Sequence, residues 1–274
     1  MTLRNMLKKM TACLKEAGVD AYDYDARALL SSATGRDRLK MILDSDQKLT
    51  AEEEERALEF LKRRETREPL QYILGETWFM GLRFLVTPDV LIPRADTEIL
   101  VEEAQKRLPT GGTCLDIGTG SGAIAISLAS LRPDATVAAS DISDAALKIA
   151  AQNAEALGVR IDFIKGDCLA PVKNMRYDMI VSNPPYISEK ERPALSPEVL
   201  QEPASALFDG GDGLSFYRKI IASAPQHLNP HGTLMFEIGF AQKDAVASML
   251  EPLGEVFALR DYGQNWRVVG CCLK

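Results

Sequence analysis

The stretch Leu115-Asp116-Ile117-Gly118-Thr119-Gly120-Ser121-Gly122 decides the fold. It joins an apolar run at 113–117, predicted to be a strand, to a second apolar run at 122–131, predicted to be a helix. Its glycines allow backbone angles that a Cβ forbids, and they let a ligand approach the main chain closely. A ligand at this turn also meets the amino end of the helix. The stretch therefore predicts a strand–turn–helix unit that binds a small molecule.

The same alternation of strand and helix continues to the end of the chain. Apolar and β-branched runs predict strands at 113–117, 136–140, 161–165, 177–182, 233–238, 256–259 and 266–271. The stretches around them predict helices at 96–108, 122–131, 143–157, 214–224 and 242–250. Strands that alternate with helices form parallel sheets covered on both faces. We therefore predict an α/β fold with a doubly wound, seven-stranded, mostly parallel sheet.

The first 75 residues have a helical pattern instead. Apolar residues recur at helical spacing from Leu3 to Leu14, and Thr50 with Glu53 has the form of a capping box. Arg63, Arg64 and Arg67 are predicted to lie on a solvated helix face. The aromatic and β-branched run that follows predicts a β-hairpin. We predict a helical domain at 1–75, a hairpin linker at 76–92 and a larger domain at 93–274.

Composition and charge exclude several classes of protein. The 274 residues are 46% hydrophobic, as in an ordinary globular protein, and the net charge is −7. Residues 1–75 are neutral, so the acidic excess lies in the larger domain, which argues against duplex DNA as the main partner. No apolar run reaches the ~18 residues of a membrane span, and no signal peptide is recognisable, so we expect a cytoplasmic protein with no membrane partner.

A metal site is not expected. The five cysteines stand at no metal-ligand spacing and are interpreted as reduced thiols. His227 and His231 have a spacing that would place them on one helix face, but Pro230 between them argues against that helix.

Two acidic residues restrict the ligand of the glycine turn. Gly118 and Gly120 also fit the looser fingerprint of dinucleotide-binding folds, so the glycines alone leave a nicotinamide or flavin dinucleotide open. Asp116, two residues before the first glycine, suits an amino group better than a pyrophosphate. Asp141, at the end of the next predicted strand, can accept hydrogen bonds from both hydroxyls of a ribose. An amino acid joined through sulfur to adenosine meets both conditions.

This strand–turn–helix resembles the S-adenosylmethionine site of the seven-stranded methyltransferases. The resemblance implies that Asp167 accepts from the adenine amino group and that Cys168 packs on the ring. It implies a cofactor site that comprises Asp116, Gly118, Thr119, Gly120, Ser121, Gly122, Asp141, Asp167, Cys168 and Asn183.

The segment Asn183-Pro184-Pro185-Tyr186 follows the predicted strand at 177–182 and indicates the chemistry. The Asn183 side-chain oxygen and the Pro184 carbonyl can each accept one N–H of a planar nitrogen, whose lone pair then points at a methyl group. Tyr186 offers a face on which the planar group can stack. We therefore predict Asn183, Pro184 and Tyr186 as catalytic and the whole segment, with Pro185, as substrate-binding. The nitrogen is left open between adenine N6, cytosine N4 and a glutamine amide.

Taken together, the motifs resemble one family, the release-factor glutamine N5-methyltransferases (PrmC or HemK-like). The matching segments are the helical domain, Glu68-Pro69-Leu70-Gln71-Tyr72-Ile73-Leu74-Gly75, Ile92-Pro93-Arg94-Ala95-Asp96-Thr97-Glu98, the glycine turn, Asn183-Pro184-Pro185-Tyr186 and Phe208-Asp209-Gly210-Gly211-Asp212-Gly213-Leu214. The resemblance implies that S-adenosylmethionine methylates the glutamine of the Gly-Gly-Gln motif in class-I peptide chain release factors, and that the helical domain helps to dock this substrate. A monomer without direct nucleic-acid contact is expected.

Three questions stay open at the level of the sequence. An adenine-N6 nucleic-acid methyltransferase shares the Asn-Pro-Pro-Tyr segment, and a related family methylates a glutamine of a large-subunit ribosomal protein but departs from Asp-Thr-Glu at 96–98. Within the segment Pro93–Glu98, Arg94 and Glu98 either serve the active site or form an ion pair that anchors the linker.

Overall fold

The computed structural model describes residues 1–274, which form two compact units. The first unit comprises Met1–Glu76 together with Ser196–Gln201, and the second comprises Thr77–Leu195 together with Glu202–Lys274. The short segment Ser196–Gln201, which the sequence assigned to the larger domain, therefore groups with the helical unit. Charged side chains explain this placement, as described below.

The first unit is helical around a continuous apolar core. Leu3, Met6, Met10 and Leu14 lie on one buried face of the first helix, as their spacing predicts. The capping box of Thr50 and Glu53 is present in both directions. A five-residue helix after Pro69 was not predicted because it is too short to show a periodic pattern. The helices are α1 (Leu3–Glu16), α2 (Tyr22–Thr34), α3 (Arg38–Leu43), α4 (Ala51–Glu65) and α5 (Leu70–Leu74).

The arginines of α4 and the turn after it do not form a solvated face. Arg64 is only 5% exposed, and its guanidinium donates to Asp25 at 2.8 Å and to Glu198 at 2.9 Å. Arg67 contacts both oxygens of Glu198, at 2.6 and 2.8 Å, and lowers the pKa of that carboxyl, as Arg64 does, to about 2. These ion pairs hold Ser196–Gln201 within the helical unit. The prediction of a solvated basic face is wrong because the acidic partners are distant in sequence.

A hairpin of β1 (Glu76–Phe79) and β2 (Leu82–Leu85) follows the helical segment. Its two turn residues, Met80 and Gly81, have φ values of 50° and 73°, as in the tight turns that match the twist of paired strands. Phe79 and Phe84 are buried and pack edge to face in the core of the second unit.

The second unit contains a seven-stranded sheet with the order β5-β4-β3-β6-β7-β9-β8, in which β9 runs opposite to the other six strands. The predicted strands are all present, and β7 begins earlier than predicted and continues through Pro230. The strands are β3 (Thr113–Ile117), β4 (Thr136–Asp141), β5 (Asp162–Lys165), β6 (Tyr177–Ser182), β7 (Leu228–Glu237), β8 (Gly254–Arg260) and β9 (Trp266–Leu273).

Helices connect these strands and cover the two apolar cores of the unit. The helix predicted at 96–108 begins as a short 3₁₀ turn, Ala95–Thr97, before it becomes α-helical. No helix of the chain is both long enough and apolar enough to span a bilayer. The helices are α6 (Glu98–Arg107), α7 (Ala123–Leu131), α8 (Asp144–Ala156), α9 (Ala204–Leu207), α10 (Ser215–His227) and α11 (Lys243–Leu250).

Candidate active site

The glycine turn lies between β3 and α7, at the carboxyl end of β3, an interior strand of the sheet. Gly118, Gly120 and Gly122 have φ values of 73°, 56° and 83°, which residues with a Cβ rarely adopt. At Gly122 a Cβ would also lie 2.7 Å from Cδ1 of Ile126. The turn is therefore a conformation that these glycines make possible.

Asp141 holds this turn in place from the end of β4. Its Oδ2 accepts from the Gly120 amide and its Oδ1 accepts from the Ser143 amide, both at 2.9 Å. A carboxylate oxygen can accept more than one hydrogen bond. Asp141 also lines the larger of two clefts that open beside the turn, so the carboxylate can contact a ligand while it supports the turn.

Asp116 lies beneath the turn and is fully buried. Its Oδ2 accepts from the Thr119 hydroxyl at 2.6 Å, whereas its Oδ1 has no hydrogen-bond partner. Burial raises the pKa of Asp116 to about 7, against the opposing effect of the Thr119 hydrogen bond. An unpaired buried carboxylate oxygen requires a donor, such as a ligand ammonium group or a water molecule that it holds.

Asp167 and Cys168 follow β5 and line the same cleft. Asp167 forms an ion pair with Lys219 of α10, and the lysine lowers the pKa of the carboxyl. Cys168 is buried with a φ of 51°, and burial raises the pKa of its thiol to about 12. The thiol is therefore a neutral group in the cleft wall, and Lys219 is a cleft neighbour that the sequence did not reveal.

The Asn183-Pro184-Pro185-Tyr186 segment continues from β6, next to the glycine turn. The side-chain nitrogen of Asn183, Nδ2, donates to the Thr97 hydroxyl at 3.3 Å, which leaves the side-chain oxygen of Asn183 to other donors. The Tyr186 hydroxyl donates to Oε1 of Glu237 at 3.3 Å. Burial raises the pKa of Tyr186 well above its ordinary value, and the adjacent Glu237 acts in the same direction, so the phenol stays protonated.

Two openings meet at Asn183. The larger cleft encloses about 820 Å³ of space that is open to solvent. The residues that line it include Gly118, Gly120, Asp141, Asp167, Cys168, Asn183, Pro184 and Pro185. The smaller, of about 390 Å³, is lined in part by Arg94, Thr97, Gly118, Thr119, Gly120, Ser121 and Asn183. Of the predicted site residues, Asp116, Gly122 and Tyr186 line neither opening and support the walls from behind.

Arg94 and Glu98 do not pair with each other. Arg94 pairs with the buried Glu202, whose other oxygen, Oε2, accepts from the Ile92 amide at 2.9 Å. Glu98 accepts from the Met80 amide in the hairpin turn at 2.6 Å. Both residues thus anchor the segment that carries Thr97, and Arg94 lies in the wall of the smaller opening as well.

Thr97, Glu202 and Glu237 were not predicted as site residues. Thr97 was quoted only within the 92–98 motif, and Glu202 carries no local signal. Glu237 did carry a signal in the sequence, because it lies at the end of a strand, at the same edge of the sheet as Asn183.

Comparison with known proteins places these observations in a family. The family model of the PrmC N-terminal domain matches residues 5–75, and that of the Methyltransferase small domain matches residues 94–215. The release factor glutamine methyltransferase of Geobacter sulfurreducens is 44% identical over 98% of this chain and 96% of its own. That of Cereibacter sphaeroides is 45% identical over 100% of this chain and 99% of its own.

The solved structures include a similar fold. The ribosomal protein L11 methylase of Lactobacillus delbrueckii subsp. bulgaricus has a TM-score of 0.50 and 25% sequence identity, and it covers 69% of this chain and 84% of that one.

Proposed function

The chain belongs to the release factor glutamine methyltransferase family, and from that membership we propose the reaction of its active site. A methyl group is transferred from the sulfonium of S-adenosylmethionine to N5, the side-chain amide nitrogen of the glutamine in the Gly-Gly-Gln motif of class-I peptide chain release factors. S-adenosylhomocysteine leaves, and one amide proton is lost to solvent. One observation supports the assignment of roles. Asn183 lines both openings, and its Nδ2 already donates a hydrogen bond to the Thr97 hydroxyl oxygen.

The proposed mechanism depends on alignment. The Asn183 side-chain oxygen and the Pro184 carbonyl each accept one N–H of the substrate amide, and Tyr186 supports the segment that carries these acceptors from behind. An amide nitrogen is a poor nucleophile because its lone pair is delocalised, and two acceptors on its hydrogens favour a pyramidal nitrogen. Good near-attack geometry can contribute on the order of 7–11 kcal/mol to lowering a barrier. The residues near the transfer point need to hold and orient the amide, without a metal or a strong base.

The residues of the turn fit S-adenosylmethionine, which supplies an electrophilic methyl group on a positively charged sulfur. The unpaired Oδ1 of Asp116 is an acceptor for the amino end of that molecule, directly or through water. Asp141 lines the cleft as an acceptor for the ribose hydroxyls, and Asp167 with Cys168 forms the wall proposed to meet the adenine. The glycine turn exposes backbone between these groups.

The helical domain, predicted at 1–75 ahead of a linker at 76–92 and a larger domain at 93–274, is proposed to dock the protein substrate, as the family resemblance implies. Its formal charge over 1–75 is zero, so it offers no basic field for nucleic acid. A monomeric enzyme of the cytoplasm that acts without nucleic acid stays a prediction.

The test is transfer of a labelled methyl group to a purified class-I release factor. We expect incorporation into the native factor and none into a factor whose motif glutamine is replaced by alanine. Duplex DNA and the ribosomal large subunit serve as competing substrates. Incorporation into either of these, with none into the release factor, would exclude the proposed function.

A further inference from the structure

A buried acidic residue lies directly behind the Asn-Pro-Pro-Tyr segment. Glu237 ends β7, and the register pairs Phe236 with Ser182, the residues immediately before Glu237 and Asn183. Glu237 is only 1% exposed. Its Oε1 accepts from the Tyr186 hydroxyl at 3.3 Å, and its Oε2 has no hydrogen-bond partner. A buried carboxylate can only accept hydrogen bonds, so it orients the donors around it.

Thr97 connects this carboxyl to Asn183. The Thr97 side chain is buried, and its oxygen accepts from Nδ2 of Asn183 at 3.3 Å. Its hydroxyl also lowers the pKa of the Glu237 carboxyl, whose Oε2 has no other donor. A hydroxyl has one proton to donate. When that proton is directed to Glu237, the hydroxyl can act only as an acceptor toward Asn183. The amide nitrogen of Asn183 must then face Thr97, and the amide oxygen must face away from it.

We propose that Thr97 and Glu237 are positioning residues of the transfer site, which together fix the Asn183 amide so that its oxygen is presented to the substrate nitrogen. The Glu237 carboxylate directs the hydroxyls of Thr97 and Tyr186, and Thr97 passes that direction on to Asn183. Neither residue touches the reacting atoms. The assignment rests on the proposed function, because it names the groups that orient the acceptor of the same reaction.

The charges around Glu237 determine its protonation. Burial raises the pKa of Glu237 to about 7, and the Thr97 hydroxyl and the Arg267 guanidinium oppose this. Arg267 comes from β9 and also pairs with Asp96 and Asp261, each at 3.1 Å. Tyr217 of α10 donates to the Glu237 backbone carbonyl at 2.9 Å. We call the series of interactions from Glu237 through Thr97 to Asn183 the relay. A protonated Glu237 can donate a hydrogen bond as well as accept one, so at pH values below its pKa the relay no longer fixes the direction of the Thr97 hydroxyl.

The first test removes the Thr97 hydroxyl. Thr97→Val is expected to lower kcat for methyl transfer roughly three- to tenfold, the value of one hydrogen bond, with cofactor affinity changed less than about twofold. Thr97→Ser keeps the hydroxyl and should retain most of the rate. Thr233→Val, at another buried threonine on β7 outside the openings, is the matched control and should keep the wild-type kcat. Equal kcat values for wild type and Thr97→Val would overturn the proposal.

The second test measures how kcat depends on pH. Wild-type kcat should fall below about pH 7 as Glu237 becomes protonated. In Glu237→Gln, which cannot ionise, this acidic limb should disappear and kcat should be low at all pH values. Glu103→Gln, at a buried and ion-paired glutamate of α6, should keep the wild-type limb. An acidic limb that persists in Glu237→Gln would contradict the role of Glu237.

A third measurement does not require turnover. The side-chain amide of Asn183 is identified in a ¹H–¹⁵N spectrum as the signal lost in Asn183→Asp. We expect this signal to shift in Thr97→Val and Glu237→Gln and to stay in place in Thr233→Val. An unmoved signal in both site variants would refute the relay. Absence of methyl transfer by the wild-type enzyme, with the signal shifting as expected, would instead overturn the proposed function and leave the relay standing.

Discussion

At the scale of single residues, the proposed roles separate groups that would hold the cofactor from groups that would hold the substrate. Asp141 supports the glycine turn and faces the larger cleft, whereas Asn183 stands where the two openings meet. Both lie at the carboxyl edge of the sheet, and each reaches it on a different strand. Their loss should therefore produce different kinetic defects.

Asn183→Ala should lower kcat about 100-fold or more, because the substrate nitrogen loses its alignment, while cofactor affinity changes little. Asp141→Ala should weaken cofactor binding roughly tenfold or more, because a charged acceptor is removed and the turn loses its support. Calorimetric titration of S-adenosylmethionine and steady-state kinetics measure the two effects. Equal losses of cofactor affinity in both variants would contradict this division.

In the proposed site, Asp116 lowers the stability of the ligand-free protein and provides an acceptor for the cofactor. Its pKa is raised from an ordinary value of 3.8 to about 7 by burial, so the folded state retains a proton that the unfolded state releases. The contribution of this carboxyl to stability is therefore greatest at low pH and is lost as the pH rises from about 4 to 7.

Asp116→Asn should raise the Tm of the ligand-free protein at pH 8, and the gain should be smaller at pH 5. The asparagine keeps an acceptor for the Thr119 hydroxyl and removes a buried charge. The same variant should bind S-adenosylmethionine more weakly. Thermal unfolding at the two pH values and a binding titration test this. A Tm at pH 8 below that of the wild type would show that the charge is compensated in the free protein.

At the scale of elements, the sequence predicts regular segments well and long-range polar contacts poorly. The strands of the sheet and the capped helix α4 follow from local pattern, because each periodicity is visible in a few consecutive residues. The short helix α5 and the partners of Arg64 and Glu237 do not, because they depend on residues brought together by the fold. The same reason explains why Lys219 and Glu202 were missed beside the predicted residues Asp167 and Arg94.

The conformation of the glycine turn gives a prediction at this scale. Gly122→Ala should destabilise the protein by well over the ~1–2 kcal/mol that a left-handed residue with a Cβ costs, because the Cβ would also meet Ile126 at 2.7 Å. Gly158→Ala is the matched control, since its φ is 66° but nothing lies within 4 Å of the new Cβ. Urea unfolding gives both free energies. Equal losses would show that Ile126 gives way without cost.

At the scale of the whole molecule, the chain forms a helical unit and a methyltransferase unit, and the helical unit holds a segment that lies far along the sequence. Glu198, in that segment, is paired with Arg64 and Arg67. Its pKa is lowered from 4.5 to about 2, so it stabilises the folded state above pH 4.5, and this stabilisation is lost as the pH falls toward 2.

Glu198→Gln should therefore lower the free energy of unfolding at pH 7, by about 1–3 kcal/mol for a partly exposed charged pair. The difference from the wild type should shrink at pH 3. Glu189→Gln, at an exposed glutamate paired with Arg192, should leave the free energy of unfolding nearly unchanged at either pH, because solvent screens the pair. A loss for Glu198→Gln that is the same at pH 7 and pH 3 would exclude the charge of Glu198 as its cause.

The claim that Asn183 and its neighbours present a protein glutamine for methylation is tested most directly by labelled-methyl transfer to a purified class-I release factor. The expected result is one methyl group per factor, located on the glutamine of the Gly-Gly-Gln motif and absent when that glutamine is replaced by alanine. Undiminished transfer to the alanine-substituted factor, or no transfer to the native one, would contradict the account.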